Sequence, residues 1–287
     1  MRSARAALGR VGLLAMALLW SATLTPEVLA KGRAAPKAHK AQTQGKAEAA
    51  QSIGPPNAGR LVGGARLKKS PALQPRDRSH SWGLPELVGL LRRAADKVAR
   101  KHRGAILLVG DLSARSGGPL VGHNSHQSGR DADVGFYAVS AKGKSARLSR
   151  FMAFGADGRP REGGDALRFD DARNWAFVEA LLSDKKVAVR YVFISNALRA
   201  RLLSYAAAKG VSKELLTQAA AAMMSPAHAE AHDDHFHVRM SCPTSMRGPC
   251  VEESIARGPA SAADSGLGIA VIESGGADPM APVAPAP

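Results

Sequence analysis

A chain of 287 residues has room for one sizeable core with tails, or for two small domains, and excludes two large ones. Aromatic residues make up only 5%, while Ala and Gly are plentiful, so part of the length is expected never to pack. The formal net charge of +16 favours polyanionic partners: nucleic acid, anionic lipid or an acidic wall polymer.

Arg2, Arg5 and Arg10 precede an apolar stretch from Val11 to about Leu24, and Val28-Leu29-Ala30 fits the small-residue rule for cleavage. Residues 1–30 therefore read as a secretory signal peptide. The apolar run falls short of the roughly 20 residues needed to span a bilayer, so no integral membrane span is expected in the mature chain. Residues 31–75 are rich in Ala, Lys, Gln, Gly and Pro without a sustained apolar period, and read as a basic, disordered linker. Residues 76–257 form the expected folded domain. The Ala/Gly/Pro/Ser-rich tail 258–287 is expected to be disordered.

Within the domain, Leu84, Leu87, Leu90, Leu91, Ala94 and Val98 recur at helical spacing and predict a helix to about Arg100. Ala105–Val109 and Asp133–Tyr137 read as strands. Asp170 is placed to cap a helix ending near Leu182. Val187–Ile194 alternates as a strand, Ala197–Ala208 and Lys213 to about Met223 read as helices, and His235–Met240 as a last strand. This mix predicts an α+β fold in which a central antiparallel sheet carries the chemistry and helices pack on it. Cys242 and Cys250, the only cysteines, are expected to pair after export.

His123, His126, His228, His232, His235 and His237 account for six of the nine histidines. They fall in two segments, His123 to Asp133 and His228 to His237. A catalytic zinc site takes three imidazole or carboxylate ligands and keeps one position for water. His235 and His237 share a strand face, so one can bind a metal while the other stands beside the reacting water. His126 and Asp133 are linked by a Gly-containing turn that can return the carboxylate to the imidazole. Such a centre lowers the pKa of water and polarises a carbonyl. His228-Ala-Glu-Ala-His232 has its Glu misplaced for the helical zinc-protease motif and ranks below this arrangement. No Gly-x-Ser-x-Gly elbow, phosphate-binding loop or dinucleotide fingerprint occurs. Asp170 and Asp171 read as helix caps, and Asp157 as a turn residue. The basic residues carry little aromatic interleaving, which argues against nucleic acid.

Ser125-His126-Gln127-Ser128-Gly129-Arg130-Asp131-Ala132-Asp133 and His235-Phe236-His237 resemble the paired motifs of peptidases related to lysostaphin, D-Ala-D-Ala carboxypeptidases and hedgehog domains. The run His232 to Arg239, followed by Cys242, resembles the penicillin-insensitive murein endopeptidases; the similarity extends from about Leu84 to Cys250. The resemblance implies one Zn2+ per chain on His126, Asp133 and His237. It implies His235 as an unligated partner assisting water activation or steadying the oxyanion, and His232 as a further active-site residue. His123 would lie beside the first ligand, and Asp157 matches a residue near a second metal in some members. The implied activity is a D,D-endopeptidase cleaving D-alanyl-diaminopimelate cross-links in peptidoglycan, in a periplasm or beyond the cell. The alternatives are a D,D- or L,D-carboxypeptidase or dipeptidase of the same fold, or a non-catalytic zinc-containing wall-binding protein. Arg130 and Arg239 flank the ligand segments as candidates for substrate carboxylates.

Overall fold

The computed structural model describes residues 49–163, 166–226, 232–246 and 248–255. In chain order these form β1 (Gln51–Ile53), β2 (Arg60–Val62), β3 (Ala65–Arg66), β4 (Leu73–Pro75), β5 (Trp82–Gly83), α1 (Pro85–Lys101), β6 (Leu107–Val109), β7 (Asp131–Gly135), β8 (Ala138–Ser140), β9 (Ser145–Ala146) and β10 (Leu167–Phe169). Then come α2 (Asp171–Leu182), β11 (Val189–Phe193), α3 (Asn196–Ala208), α4 (Lys213–Ala222), β12 (Met223–Met224) and β13 (His235–Met240).

The principal sheet has six strands in the order β12-β11-β13-β7-β6-β4. Its centre is antiparallel, but β11 pairs β12 and β4 pairs β6 in parallel. The expected antiparallel sheet is therefore a mixed one. Its outer strands are two and three residues long and leave no period to read in the sequence.

Alternation along the two central strands divides the sheet's faces. Ala132, Val134, Phe236 and Val238 enter the core, where Phe236 meets Phe177 of α2 at a centroid distance of 5.8 Å. Asp131, Asp133, His235, His237 and Arg239 occupy the alternate positions and so face the other way. Pro85 opens α1, where its missing N–H costs nothing. The Asp170 side chain accepts from the Arg173 backbone N–H at 3.1 Å and caps α2 as expected.

The linker boundary needs correction. Residues 51–75, expected to be disordered, contain β1 to β4, and Leu61, Leu67 and Leu73 from this stretch are buried. The strands are two or three residues long and only β2 and β4 bury a large apolar residue, Leu61 and Leu73, which a search for sustained periodicity does not detect. Residues 1–48, which include the expected signal peptide, lie outside the described residues, as do the tail and His228. Cys242 and Cys250 are joined in a disulfide with Cα atoms 5.8 Å apart.

Candidate metal centre

The register of the two central strands builds most of the site. His237 pairs directly with Asp133, Arg239 with Asp131, and His235 with Gly135. Directly opposed residues share a face, so one antiparallel ladder sets carboxylates against imidazoles and a guanidinium. His126 arrives from the preceding turn, with a left-handed φ of 68° that is uncommon for a non-glycine residue. His232 also has a positive φ, 45°. Such backbone is held by its surroundings: the His126 ring is buried and its Nδ1 lies 2.6 Å from the Leu112 carbonyl oxygen.

That contact fixes chemistry as well as position. A carbonyl oxygen only accepts, so Nδ1 of His126 carries a hydrogen and Nε2 presents a lone pair in the neutral ring. Nε2 has no hydrogen-bond partner and sits 3.2 Å from Oδ1 of Asp133, which also has none. His237 is held in the complementary tautomer. Its Nε2 lies 2.7 Å from Oδ1 of buried Asp131, which leaves Nδ1 facing Asp133 Oδ1 at 3.5 Å. Three lone-pair atoms on His126, Asp133 and His237 thus converge without a hydrogen shared among them. Buried acceptors turned toward one another repel unless a cation lies between them, and this donor set fits one.

The electrostatics favour positive charge at this point, whether as a proton on His126 or as a cation between it and Asp133. Burial opposes a charge on His126, but Asp133 and Asp131 outweigh it and raise its pKa. Burial alone would raise Asp133, yet His126, His235 and His237 hold it well below the usual carboxylate range. Burial, aided by charge on His126, pushes His237 down to about 4, so its ring is neutral at pH 7 and free to ligate. Asp131 is buried as well, and Arg239 and His237 keep it ionised. Arg239 donates from Nε to Asp131 at 2.6 Å. The chain Arg239–Asp131–His237 is the carboxylate support that commonly orients a metal-binding histidine. The sequence reading missed Asp131, although Asp131-x-Asp133 opposite His235-x-His237-x-Arg239 shows the two-residue spacing that would reveal it.

His235 faces the same centre, its Nε2 3.4 Å from Asp133 Oδ1 and its Nδ1 bonded to Asp234. Burial disfavours a proton here, but the contacts with Asp133 and Asp234 raise its pKa to about 9. The ring of His232 stands 5.3 Å from that of His235 and 5.8 Å from that of His237. His123 turns Nδ1 toward Asp133 Oδ2 at 3.5 Å and holds Asp111 through Nε2 at 3.0 Å. Ligand atoms of His123, His126 and Asp133 lie within 4.8 Å of one another, so His123 is within reach of the same cation. Asp77, His80 and Asp111 form a neighbouring group of the same kind, with the Arg76 guanidinium on Asp111 at 3.3 Å.

His123, His126, Asp133, His232, His235 and His237 line a cavity of about 720 Å3 whose wall also includes Asn57, Phe193, Asp233, Arg239 and Glu253. Asp157 is elsewhere: it lies in an exposed turn, accepting from the Arg159 backbone N–H at 2.9 Å. Neither Arg130 nor Arg239 is a free guanidinium for a substrate carboxylate, although Arg239 reaches the cavity wall. Arg130 is fully buried and donates to the Val251 carbonyl at 2.7 Å and to Glu252 at 3.2 Å, while Arg239 is buried between Asp131 and Glu253.

Known proteins show the same sequence pattern. A family model for penicillin-insensitive murein endopeptidases matches residues 52–264. Proteins named penicillin-insensitive murein endopeptidase from Escherichia coli (strain 55989 / EAEC) and from Shigella boydii serotype 18 are each 27% identical over 206 residues, covering 70% of this chain and 70% of theirs. The family match takes in both histidine-rich segments, and the chain belongs to the penicillin-insensitive murein endopeptidase family.

Proposed function

We propose that this protein is an exported zinc peptidase that hydrolyses D-alanyl-diaminopimelate cross-links in peptidoglycan, with the metal held by His126, Asp133 and His237. The observation that carries this reading is the convergence of unpartnered Nε2 of His126 and Oδ1 of Asp133 beside Nδ1 of His237. Two imidazoles and a carboxylate suit zinc and leave it cationic. Bound there, zinc supplies Lewis acidity toward a scissile carbonyl and a water molecule.

The chain's own residues do the rest. Asp131 and the Leu112 carbonyl fix which nitrogen each histidine offers. His235 faces the centre through Nε2, from which its N–H can donate to the oxyanion that develops on the carbonyl. Asp234 grips its other nitrogen and keeps the ring in place. His232 stands next to His235 on the cavity wall as a second polar group for substrate. His123 adds a further nitrogen on the outer oxygen of Asp133. No serine nucleophile is required, so a β-lactam has nothing to acylate.

Kinship with lysostaphin, D-Ala-D-Ala carboxypeptidases and hedgehog domains belongs to the same proposal and rests on the spacing of the two motifs. Peptidoglycan as substrate places the protein in a periplasm or outside the cell. Residues 1–30 would then be the cleaved export signal. Among the described residues no helix is long and apolar enough to cross a membrane.

Purified protein should convert cross-linked dimeric muropeptides into monomers. A chelator should abolish the conversion and zinc should restore it. Shortening of monomer stems with dimers left intact would instead identify a carboxypeptidase. If neither substrate changes with zinc bound, the peptidase reading fails in favour of a wall-binding role.

A further inference from the structure

Gly110, just after β6, and Gly135, at the end of β7, both have ordinary backbone angles, so neither needs to be glycine for conformational reasons. Both are required by one ring. A Cβ on Gly110 would lie 2.4 Å from Cζ of Phe151, and the three atoms nearest to it would all belong to Phe151. A Cβ on Gly135 would meet the same ring at 3.1 Å. Two bare backbone positions on adjacent strands therefore form a slot for Phe151.

The slot lies beside His235, because Gly135 is its register partner. The Phe151 ring stacks on the His235 imidazole, with centroids 4.9 Å apart and planes within 17°. The Arg76 guanidinium sits over the Phe151 ring at 4.8 Å. The loop carrying Phe151 is tied to the segment entering β13: Phe154 N–H donates to the Asp233 carbonyl at 2.8 Å, and Arg161 pairs with the Asp233 carboxylate at 2.7 Å. Phe151 does not line the cavity, so it supports His235 from outside the cavity and does not touch substrate.

We propose that Phe151 is a positioning residue for His235: seated in the Gly110–Gly135 slot, its flat face fixes the plane of the imidazole that serves the reacting carbonyl. The hydrogen bond to Asp234 anchors one atom of the ring and leaves rotation about that contact; a stacked face removes it. The inference rests on the peptidase reading and on the place of His235 in it.

The test uses zinc-loaded wild type, Phe151→Ala, Phe151→His, Gly110→Ala and the Gly110→Ala/Phe151→Ala double variant, each assayed for kcat and KM on dimeric muropeptides. Phe151→Ala should lose about tenfold to a hundredfold in kcat with KM little changed and zinc content intact. Phe151→His, which keeps a flat ring without lengthening it, should recover most of the loss. Gly110→Ala should also lower kcat, because its methyl displaces Phe151, but should cost nothing further once Phe151 is Ala. A second readout needs no activity: in metal-free protein, NMR should find the His235 ring protons shifted upfield by Phe151, and shifted back in Phe151→Ala. Equal kcat in wild type and Phe151→Ala, an effect on KM or zinc content alone, additive losses in the double variant, or unshifted His235 protons would overturn the positioning role. A wild type that cleaves nothing would overturn the peptidase reading beneath it, while the ring shift would still show whether the stack exists.

Discussion

At the residue scale, the site depends on side chains that never reach the cavity. Asp131 is fully buried and serves two partners, accepting from His237 Nε2 at 2.7 Å and from Arg239 Nε at 2.6 Å. Its charge holds His237 in the tautomer that offers Nδ1, and raises the basicity of that nitrogen. Asp131→Asn removes the charge while keeping the shape. An amide also presents a donor that can turn toward Nε2 and favour the wrong tautomer. We expect zinc affinity to fall by about tenfold to a hundredfold, measured by competition with a chromophoric chelator. His126 should remain in place, since the Leu112 carbonyl holds it independently. An unchanged affinity would mean that the strand backbone alone orients His237.

At the element scale, α1 and α2 pack against each other and are joined at one end by an ion pair. Arg93 of α1 donates from Nε and Nη2 to the two carboxylate oxygens of Asp184, at 2.7 and 3.0 Å. Asp184 also accepts from the backbone N–H groups of Lys186 and Val187, which closes the turn leaving α2. Burial opposes its ionisation, but the Arg93 hydrogen bond and these backbone donors outweigh that and lower its pKa. A carboxylate lowered in the folded state stabilises the fold above its unfolded pKa, and loses that contribution as pH falls through the lowered value. Asp184→Asn should therefore cost about 1 kcal/mol at pH 7, with Arg93 partly exposed and screened. Urea melts of variant and wild type should converge in acid below the ordinary carboxylate value of 3.8. The helices at this scale were legible from sequence: α1 shows a clean apolar stripe, and Asp170 supplies the side-chain cap of α2. β13 was legible because six residues suffice to show alternation. β1 to β5 and β8 to β10 were not, since strands of two or three residues carry no period and exist only through their partners. The same limit applied to the site. Clustered histidines pointed to the candidate metal centre, whereas Asp131, Asp111 and Phe151 acquire their places from register and tertiary packing, and their residue types alone do not distinguish them.

At the scale of the whole molecule, the two ends of the folded region meet beside the metal centre. Gly54 N–H donates to the Pro249 carbonyl at 2.7 Å, Val251 N–H returns to Gly54 at 3.3 Å, and Asn57 donates to Glu253 at 2.8 Å. The segment after the disulfide also supplies the partners of two interior arginines. Arg130 depends on the Val251 carbonyl and Glu252, and Arg239 donates to Glu253 as well as to Asp131. Both arginines are buried, and an interior charge stripped of its partners is costlier than a lost surface pair. Ending the chain after Cys250 keeps the disulfide and every proposed ligand, but removes both partners of Arg130. Ending it after Ile255 keeps those partners. We expect the shorter protein to lose about 3–5 kcal/mol of stability in urea melts, and the longer one to match full-length protein. Because Arg239 also holds Asp131, the shorter protein should bind zinc more weakly even at temperatures where it stays folded. Two truncations of equal stability would mean that Arg130 finds other partners and that the closing segment is only a wall of the cavity.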